Sequence, residues 1–325
     1  RSQRSKAAVK VAVVIPCHNV ERHIEGALRS VFEQTHQDLD VQVIDDGSTD
    51  GTCARLAALE NTFPGRFRWR TGPRAGACAA RNKGLALTTG EYVQFLDADD
   101  ALMPGKIAGQ VALVEATNGP ALVVGGYRNI RAGGVTEDIV PDPESPWMGL
   151  IRTRLGTTSS GLWQREALSR VRGWDEALRS SQDYDLSFRI MREGGRVVLD
   201  PRILSIIHKR SHGSIGRSDE VGNWERYIAL RVAIRDHLRT TDPIGHASEI
   251  AEVDQYIFRA IRAMAVDDRP VAERLFALHV PPDFRPQAGE ALSRSYALVY
   301  KWLGFRAAEI AAGGLDILRC KTGRR

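Results

Sequence analysis

A chain of 325 residues with 43% hydrophobic and 26% charged side chains has the composition of a globular protein of one large or two modest domains, which excludes collagen-like and disordered chains. Its formal charge of +5 comes from its ends: Arg1, Arg4, Lys6 and Lys10 open the chain, Arg319, Lys321, Arg324 and Arg325 close it, and without those eight the body stands at −3. Nucleic acid is therefore not an expected partner, since it needs cations clustered on a face of the fold; basic ends are solvated tails or contacts to an anionic membrane surface.

After the basic tail, residues 1–10, strand and helix signals alternate. "VAVVI" (11–15) is a continuous apolar run suited to a strand buried on both faces of a parallel sheet, and Ile24, Ala27, Leu28, Val31 and Phe32 follow at helical spacing. "VQVI" (41–44) reads as the next strand and "DDGSTDG" (45–51) as a loop into a helix cap. "FRWR" (67–70) is a strand, 76–87 a helix, "YVQFL" (92–96) a strand, and a further helix begins near Pro104. This βαβαβ order predicts an α/β fold with a doubly wound, mostly parallel sheet over residues 11–220. From 221 to 325 the pattern is helical, with helices over 224–238, 247–266, 270–279 and 288–318 separated by "TDPIG", "DDRP" and "VPPDFRP". In the last of these, Leu292, Tyr296, Val299, Leu303, Ile310 and Ile317 keep a helical rhythm interrupted by Gly304 and by Gly313 and Gly314. Packing against protein is the expected use of that stripe, and peripheral membrane association is the alternative.

Cys17, Cys53, Cys78 and Cys320 lie far apart without C-x-x-C spacing, which predicts reduced thiols in a cytoplasmic protein rather than a zinc site or disulfide framework. No apolar run reaches the roughly 18 residues that span a bilayer, and the N-terminus has no signal-peptide core. Because the chain opens on Arg1 and not Met, it reads as trimmed or as part of a longer protein.

The chemistry concentrates at "FLDADD" (95–100), where a buried strand ends in three aspartates within four positions. Like charges this close raise one another's pKa, so they either fan into water or hold a cation between them. Ligands of open α/β sheets bind beyond the carboxyl ends of the strands. Pro16 to Asn19, Asp45 and Asp46, and Asp97 to Asp100 each follow a predicted strand and are expected to meet at one such edge. Oxygen donors of this kind suit Mg2+ or Mn2+ bridging carboxylates to a diphosphate; the alternative is an acidic loop of helix-capping aspartates.

"VAVVIPCHN", "VIDDGSTDGT", "ARNKGLALTTGEYVQFLDADD" and "GWDEALRSSQDYDLSFRI" occur in that order with short gaps. Together, over residues 9–215, they closely resemble the nucleotide-sugar-dependent glycosyltransferases of family 2, which have the GT-A fold. The resemblance implies a nucleotide-sugar donor, a saccharide or lipid-linked acceptor, Mn2+ or Mg2+ as cofactor, and transfer with inversion. It implies that Pro16, His18 and Asn19 lie along the nucleoside, His18 standing where many relatives have Tyr. Asp46 would accept a hydrogen bond from the base, as a uracil N–H offers, so that UDP is the expected nucleotide. Arg81 would contact base or phosphate, or be a helix-surface arginine. Asp97 would contact the ribose and Asp99 bind the metal, with Asp100 a supporting carboxylate or the cap of the helix near Pro104. Asp183 takes the place of the general base, Gln182 stands where relatives often have Glu, and Asp185 is read as a structural partner or cap. Trp174 is either an acceptor platform or a core tryptophan. In "IIHKRSHGS" (206–214), Arg210 would clamp the diphosphate and His212, or less readily His208, complete the metal's coordination. The processive Q-x-x-R-W signature is absent, which points to addition of one or a few sugars, by analogy in envelope or capsular polysaccharide assembly.

Other functions fit less well. A sugar nucleotidyltransferase would open with a glycine-rich basic loop, which "VIPCHN" is not; a dinucleotide oxidoreductase would show G-x-G-x-x-G after a strand; an aspartyl phosphatase would carry its D-x-D on an early strand. A non-catalytic nucleotide- or carbohydrate-binding module would be expected to have lost Asp99 or Asp183, and both are present.

Overall fold

The computed structural model describes residues 9–209, 220–287 and 292–322, and the chain divides into two compact units, Arg1–Ile215 and Gly216–Arg325. The first unit begins with β1 (Val11–Cys17), in which Val11 to Ile15 are fully buried, followed by α1 (Ile24–Phe32), β2 (Leu39–Asp46) and α2 (Thr52–Thr62). Next come β3 (Arg68–Gly72), α3 (Ala77–Leu87), β4 (Tyr92–Phe95) and the short β5 (Ala101–Leu102). The chain continues through α4 (Lys106–Ala116), β6 (Leu122–Ile130), β7 (Thr136–Ile139) and α5 (Pro146–Ile151). It then forms β8 (Gly161–Gln164), α6 (Arg165–Arg170), α7 (Gln182–Arg192) and β9 (Val197–His208).

Among the described residues these strands form one nine-stranded sheet in the order β3-β2-β1-β4-β8-β6-β9-β5, with β7 paired to β6. The pairs β3-β2, β2-β1 and β1-β4 are parallel, as the βαβαβ pattern predicts, and β6-β9 is parallel as well. Strand β8 is antiparallel to both β4 and β6. That reversal brings the residues just before β8 to the carboxyl end of β4, where the aspartates lie. Helix α3 sits close on β1 and β2 because position 84 is glycine. A Cβ there would collide with Val14 Cγ1 and crowd Ile44 Cγ1 at 3.3 Å.

The second unit is helical: α8 (Glu220–Thr241), α9 (Ala247–Asp267), α10 (Arg269–His279) and α11 (Arg294–Thr322). Its core is aromatic, with Phe258 within 6.5 Å ring to ring of Phe276, Phe284, Tyr296, Tyr300 and Phe305. Asp268 caps α10 by accepting a hydrogen bond from Val271 N at 3.1 Å, and Pro270 sits in the first turn, where it needs no N–H partner. The last predicted helix, 288–318, is replaced by one that starts at Arg294 and breaks at Gly304.

Gly84→Ala is expected to lower stability by about 1–3 kcal/mol, because overpacking against Val14 outweighs the ~1 kcal/mol of helix propensity that alanine gains. Urea denaturation checks this, and an unchanged midpoint would mean that α3 is not seated this closely.

Candidate active site

The carboxyl ends of β1, β2 and β4 lie side by side, so residues far apart in sequence meet at one edge. Pro16 is not in the loop where the sequence placed it. It is buried inside β1 in register with Ile44. His18 is half-buried, with Nδ1 2.9 Å from the carbonyl of Asp46. A carbonyl only accepts, so Nδ1 is the donor in this bond. Asn19 adopts the left-handed region at φ 52°, and its Oδ1 accepts from Thr49 N at 2.8 Å, closing the "DDGSTDG" loop over β1.

The two aspartates at the end of β2 do different things. Asp45, 1% exposed, accepts from Thr71 Oγ1 at 2.7 Å and from Cys53 and Ser48. Burial pushes its carboxyl up, but hydrogen bonds from Ser48, Thr71 and Cys53 outweigh it and hold the group below its ordinary value. Asp46 accepts from Ala75 N at 2.6 Å and Gly76 N at 2.9 Å, so it anchors the turn into α3. A base N–H would have to use a second lone pair on one of those oxygens.

The three aspartates after β4 are also separated by role. Asp97, 37% exposed at its side chain, pairs with Arg81 at 2.7 Å. Asp99 is partly exposed, and its carbonyl accepts from His208 Nδ1 at 2.7 Å. Asp100 is buried and accepts from Ser159 Oγ at 2.7 Å and from His208 N at 3.1 Å. It is not a helix cap, since α4 begins at Lys106 after Gly105. Burial, then the charges of Asp97 and Asp99, push its carboxyl well up.

Arg81 is not on the helix surface: it is 5% exposed. One end of its guanidinium meets Asp97, the other donates to Gln182 Oε1 at 3.0 Å, and the plane lies 4.5 Å from the centre of the Trp174 ring. Of the two readings of Trp174, the structure shows the core one. The indole is 2% exposed and packs edge-on to Phe95 at 5.1 Å, which leaves no face for an acceptor sugar. Asn82, next to Arg81, bonds Trp174 at both its N–H and its carbonyl, tying the "GWDE" turn to α3.

Asp183 stands in the first turn of α7, two residues after Ser181 at φ 56°, a left-handed conformation uncommon for serine. Its Oδ1 accepts from Tyr184 N at 3.0 Å, and it lines a small pocket with Gly156, Thr157, Trp163, Tyr184 and Ser187. Burial raises its carboxyl above the ordinary aspartate value, and Arg81 pulls the other way. Asp185 is a structural partner: it pairs with Arg189 at 2.8 Å, and Arg189 also donates to the carbonyls of Val171 and Gly173. Arg210 and His212 lie outside the described residues.

For a divalent cation the donor chemistry fits: Asp97 and Asp99 are hard oxygen donors that solvent reaches. Among the described residues, however, no group of three or more His, Cys, Asp or Glu side chains is placed to hold a metal ion, so further ligands would come from elsewhere.

Sequence reasoning missed Ser159. Fully buried, it donates to Asp100, accepts from Asp97 N at 3.2 Å, and offers its carbonyl to Gln94 at 3.0 Å and Ser205 at 3.1 Å. Gln94 in turn accepts from Lys106, which also donates to the Gly161 carbonyl. Nothing in "TTSSG" announces this, because only the β4-β8 reversal brings residue 159 to residue 97. Ser159→Ala strands one acceptor and one donor and is expected to lower stability by about 1–3 kcal/mol. A denaturation midpoint unchanged from wild type would show that the aspartates hold their places without it.

The sequence model described as Glycosyl transferase family 2 matches residues 12–170. An uncharacterized glycosyltransferase of Rickettsia conorii is 30% identical over 222 residues, which cover 66% of this chain and 36% of that protein. The amylovoran biosynthesis glycosyltransferase AmsB of Erwinia amylovora is 28% identical over 211 residues, covering 62% of this chain and 70% of AmsB. The chain spans about a third of the length of several of the curated relatives it matches. Its fold is similar to that of S. aureus TarS 1–349 in complex with UDP-GlcNAc, with TM-score 0.61 and 20% identity over 84% of this chain and 77% of that one. With strand-end carboxylates, order of motifs and fold in agreement, the segment 12–170 matches glycosyl transferase family 2.

Proposed function

We propose that the chain moves a sugar from a nucleotide diphosphate donor, with UDP the nucleotide we favour, to a hydroxyl of a saccharide or lipid-linked acceptor. The observation that carries this reading is the linkage of two half-sites through one buried cation. Arg81 joins Asp97, in the aspartate cluster, to Gln182, which precedes Asp183. The UDP-GlcNAc bound by TarS and the amylovoran pathway named for AmsB support a UDP-sugar and a role in cell-envelope or capsular polysaccharide synthesis.

In this reading the loop after β1 receives the nucleoside, with the His18 ring against the base and Asp97 near the ribose. Asp99, with Asp97 beside it, is the residue that would hold Mn2+ or Mg2+, and His208, whose Nδ1 is fixed on the Asp99 carbonyl, leaves Nε2 as a further donor atom. When bound, the metal supplies Lewis-acid neutralisation of the charge on the departing diphosphate. Asp183 takes the proton of the acceptor hydroxyl as that oxygen bonds to the anomeric carbon and the carbon–diphosphate bond breaks. A single displacement of this kind inverts the configuration.

Asp183→Asn is expected to cut transfer by about 100- to 10,000-fold while leaving UDP binding intact. Product formation equal to wild type would remove Asp183 as the base. Because burial raises the Asp183 carboxyl and only its ionised form accepts a proton, transfer should fall with falling pH at a pKa above the ~3.9 of a free aspartate. Arg81→Leu, which removes the opposing charge, should move that limb to still higher pH in a pH–rate profile. Calorimetry of UDP, GDP and dTDP with and without Mn2+ tests the donor half. One nucleotide should bind with metal dependence and lose that dependence in Asp99→Ala; metal-independent binding in wild type would make the aspartates structural.

A further inference from the structure

Helix α11 breaks at Gly304, whose φ of 79° and ψ of −178° are not helical. The break divides the stripe that the sequence assigned to one buried face. Leu292, Tyr296, Tyr300, Phe305 and Ala308 are buried in the second unit's core. Leu298, Trp302, Leu303 and Ile310, at 59%, 76%, 70% and 53% exposure, flank the break on the outside. Lys301 holds its ammonium 5.5 Å from the centre of the Trp302 ring, and Arg306, whose Nε is 3.5 Å from Glu273, follows directly after the break.

Charge identifies what such a face would meet. From Arg294 to Arg325 the sequence carries seven arginines and lysines against two acids. One of those acids, Glu309, is buried and already bonded to Arg262 and Tyr296. Two copies of so cationic a segment would repel one another, whereas an anionic surface would attract both the segment and the basic C-terminal end. An exposed indole at a corner, leucines beside it and cations around it match the chemistry of an interfacial anchor. The ring sits at headgroup depth, the leucines enter the acyl boundary and the cations meet the phosphates. Among the described residues no helix is long and apolar enough to cross a membrane, so the contact is one of lying on the bilayer. We propose that the face of α11 before its break, carrying Leu298, Trp302 and Leu303, docks on an anionic lipid bilayer. This goes beyond the sugar-transfer reading and stands without it.

The test is flotation of the full chain with vesicles of phosphatidylcholine, with and without phosphatidylglycerol, for wild type and for the double variant Trp302→Glu, Leu303→Glu. Urea denaturation shows that the variant is folded. The chain is expected to float with the anionic vesicles, to be released by salt, and to lose about tenfold or more of its bound fraction in the variant. Absence of flotation by wild type, or flotation that the double variant leaves undiminished, overturns the proposal. So does a wild-type oligomer, seen by light scattering, that the variant dissociates while neither form binds vesicles, since that result assigns the face to a second copy of the chain.

Discussion

Arg81 is the cation on which the candidate site depends. A guanidinium 5% exposed has lost most of its hydration, a penalty of several kcal/mol for an unpaired ion. Asp97 at 2.7 Å, Gln182 at 3.0 Å and the Trp174 ring at 4.5 Å replace that hydration. These partners come from three separate stretches of chain: the end of β4, the start of α7 and the "GWDE" turn. Satisfying one buried charge therefore fixes the relative position of the aspartate cluster and the helix that carries Asp183. The tryptophan belongs to this arrangement as packing for the guanidinium, which explains both its burial and its place in the motif.

The aspartates of "FLDADD" coexist because each is given a different environment. Asp97 has a cation, Asp100 has two donors in the core, and Asp99 is left in partial contact with solvent. The ordering comes along Lys106, Gln94 and Ser159, so a chain of buried hydrogen-bonding groups holds a carboxylate corner in shape. Burial first, and the charges of Asp97 and Asp99 after it, raise the carboxyl of Asp100. An acidic loop exposed to water would have no need of this support, which favours a site built to meet a cation over a set of helix caps.

The parallel half of the fold was legible because its signals are local. A run such as "VAVVI" admits few readings other than a buried strand, and successive strand-helix alternation fixes handedness and edge. The roles proposed for Asp97, Asp99 and Asp183 rest on the order of motifs, since spacing alone also describes capping aspartates. Pro16, Asp46 and Trp174 were misplaced or only half placed for a common reason. Each sits in a motif that borders the site, and tertiary contacts decide which side of the border it takes: register with Ile44 for Pro16, the α3 turn for Asp46, and Arg81 for Trp174. Ser159 was invisible because an antiparallel strand inserted between parallel ones leaves no mark on the residues that precede it. In the second unit the helical rhythm was correctly read, but one glycine at φ 79° turned part of its stripe outward.

Gln182 brings these points together. Relatives that the motif resembles often carry Glu there, and a carboxylate at that place would compete with Asp97 for Arg81 while adding a negative charge one residue from Asp183. Both effects would make Asp183 harder to ionise. A neutral amide still satisfies the guanidinium geometrically, accepting through Oε1 while its Nε2 donates to the Leu178 carbonyl at 2.8 Å. The positive charge of Arg81 then acts on Asp97 and Asp183 with no third carboxylate beside it, and its pull on Asp183, with the backbone donors of Asp183 and Tyr184, works against burial. Substituting Gln for Glu thus keeps the linkage between the two half-sites while shifting the balance at Asp183 toward the ionised carboxylate that a proton acceptor must be.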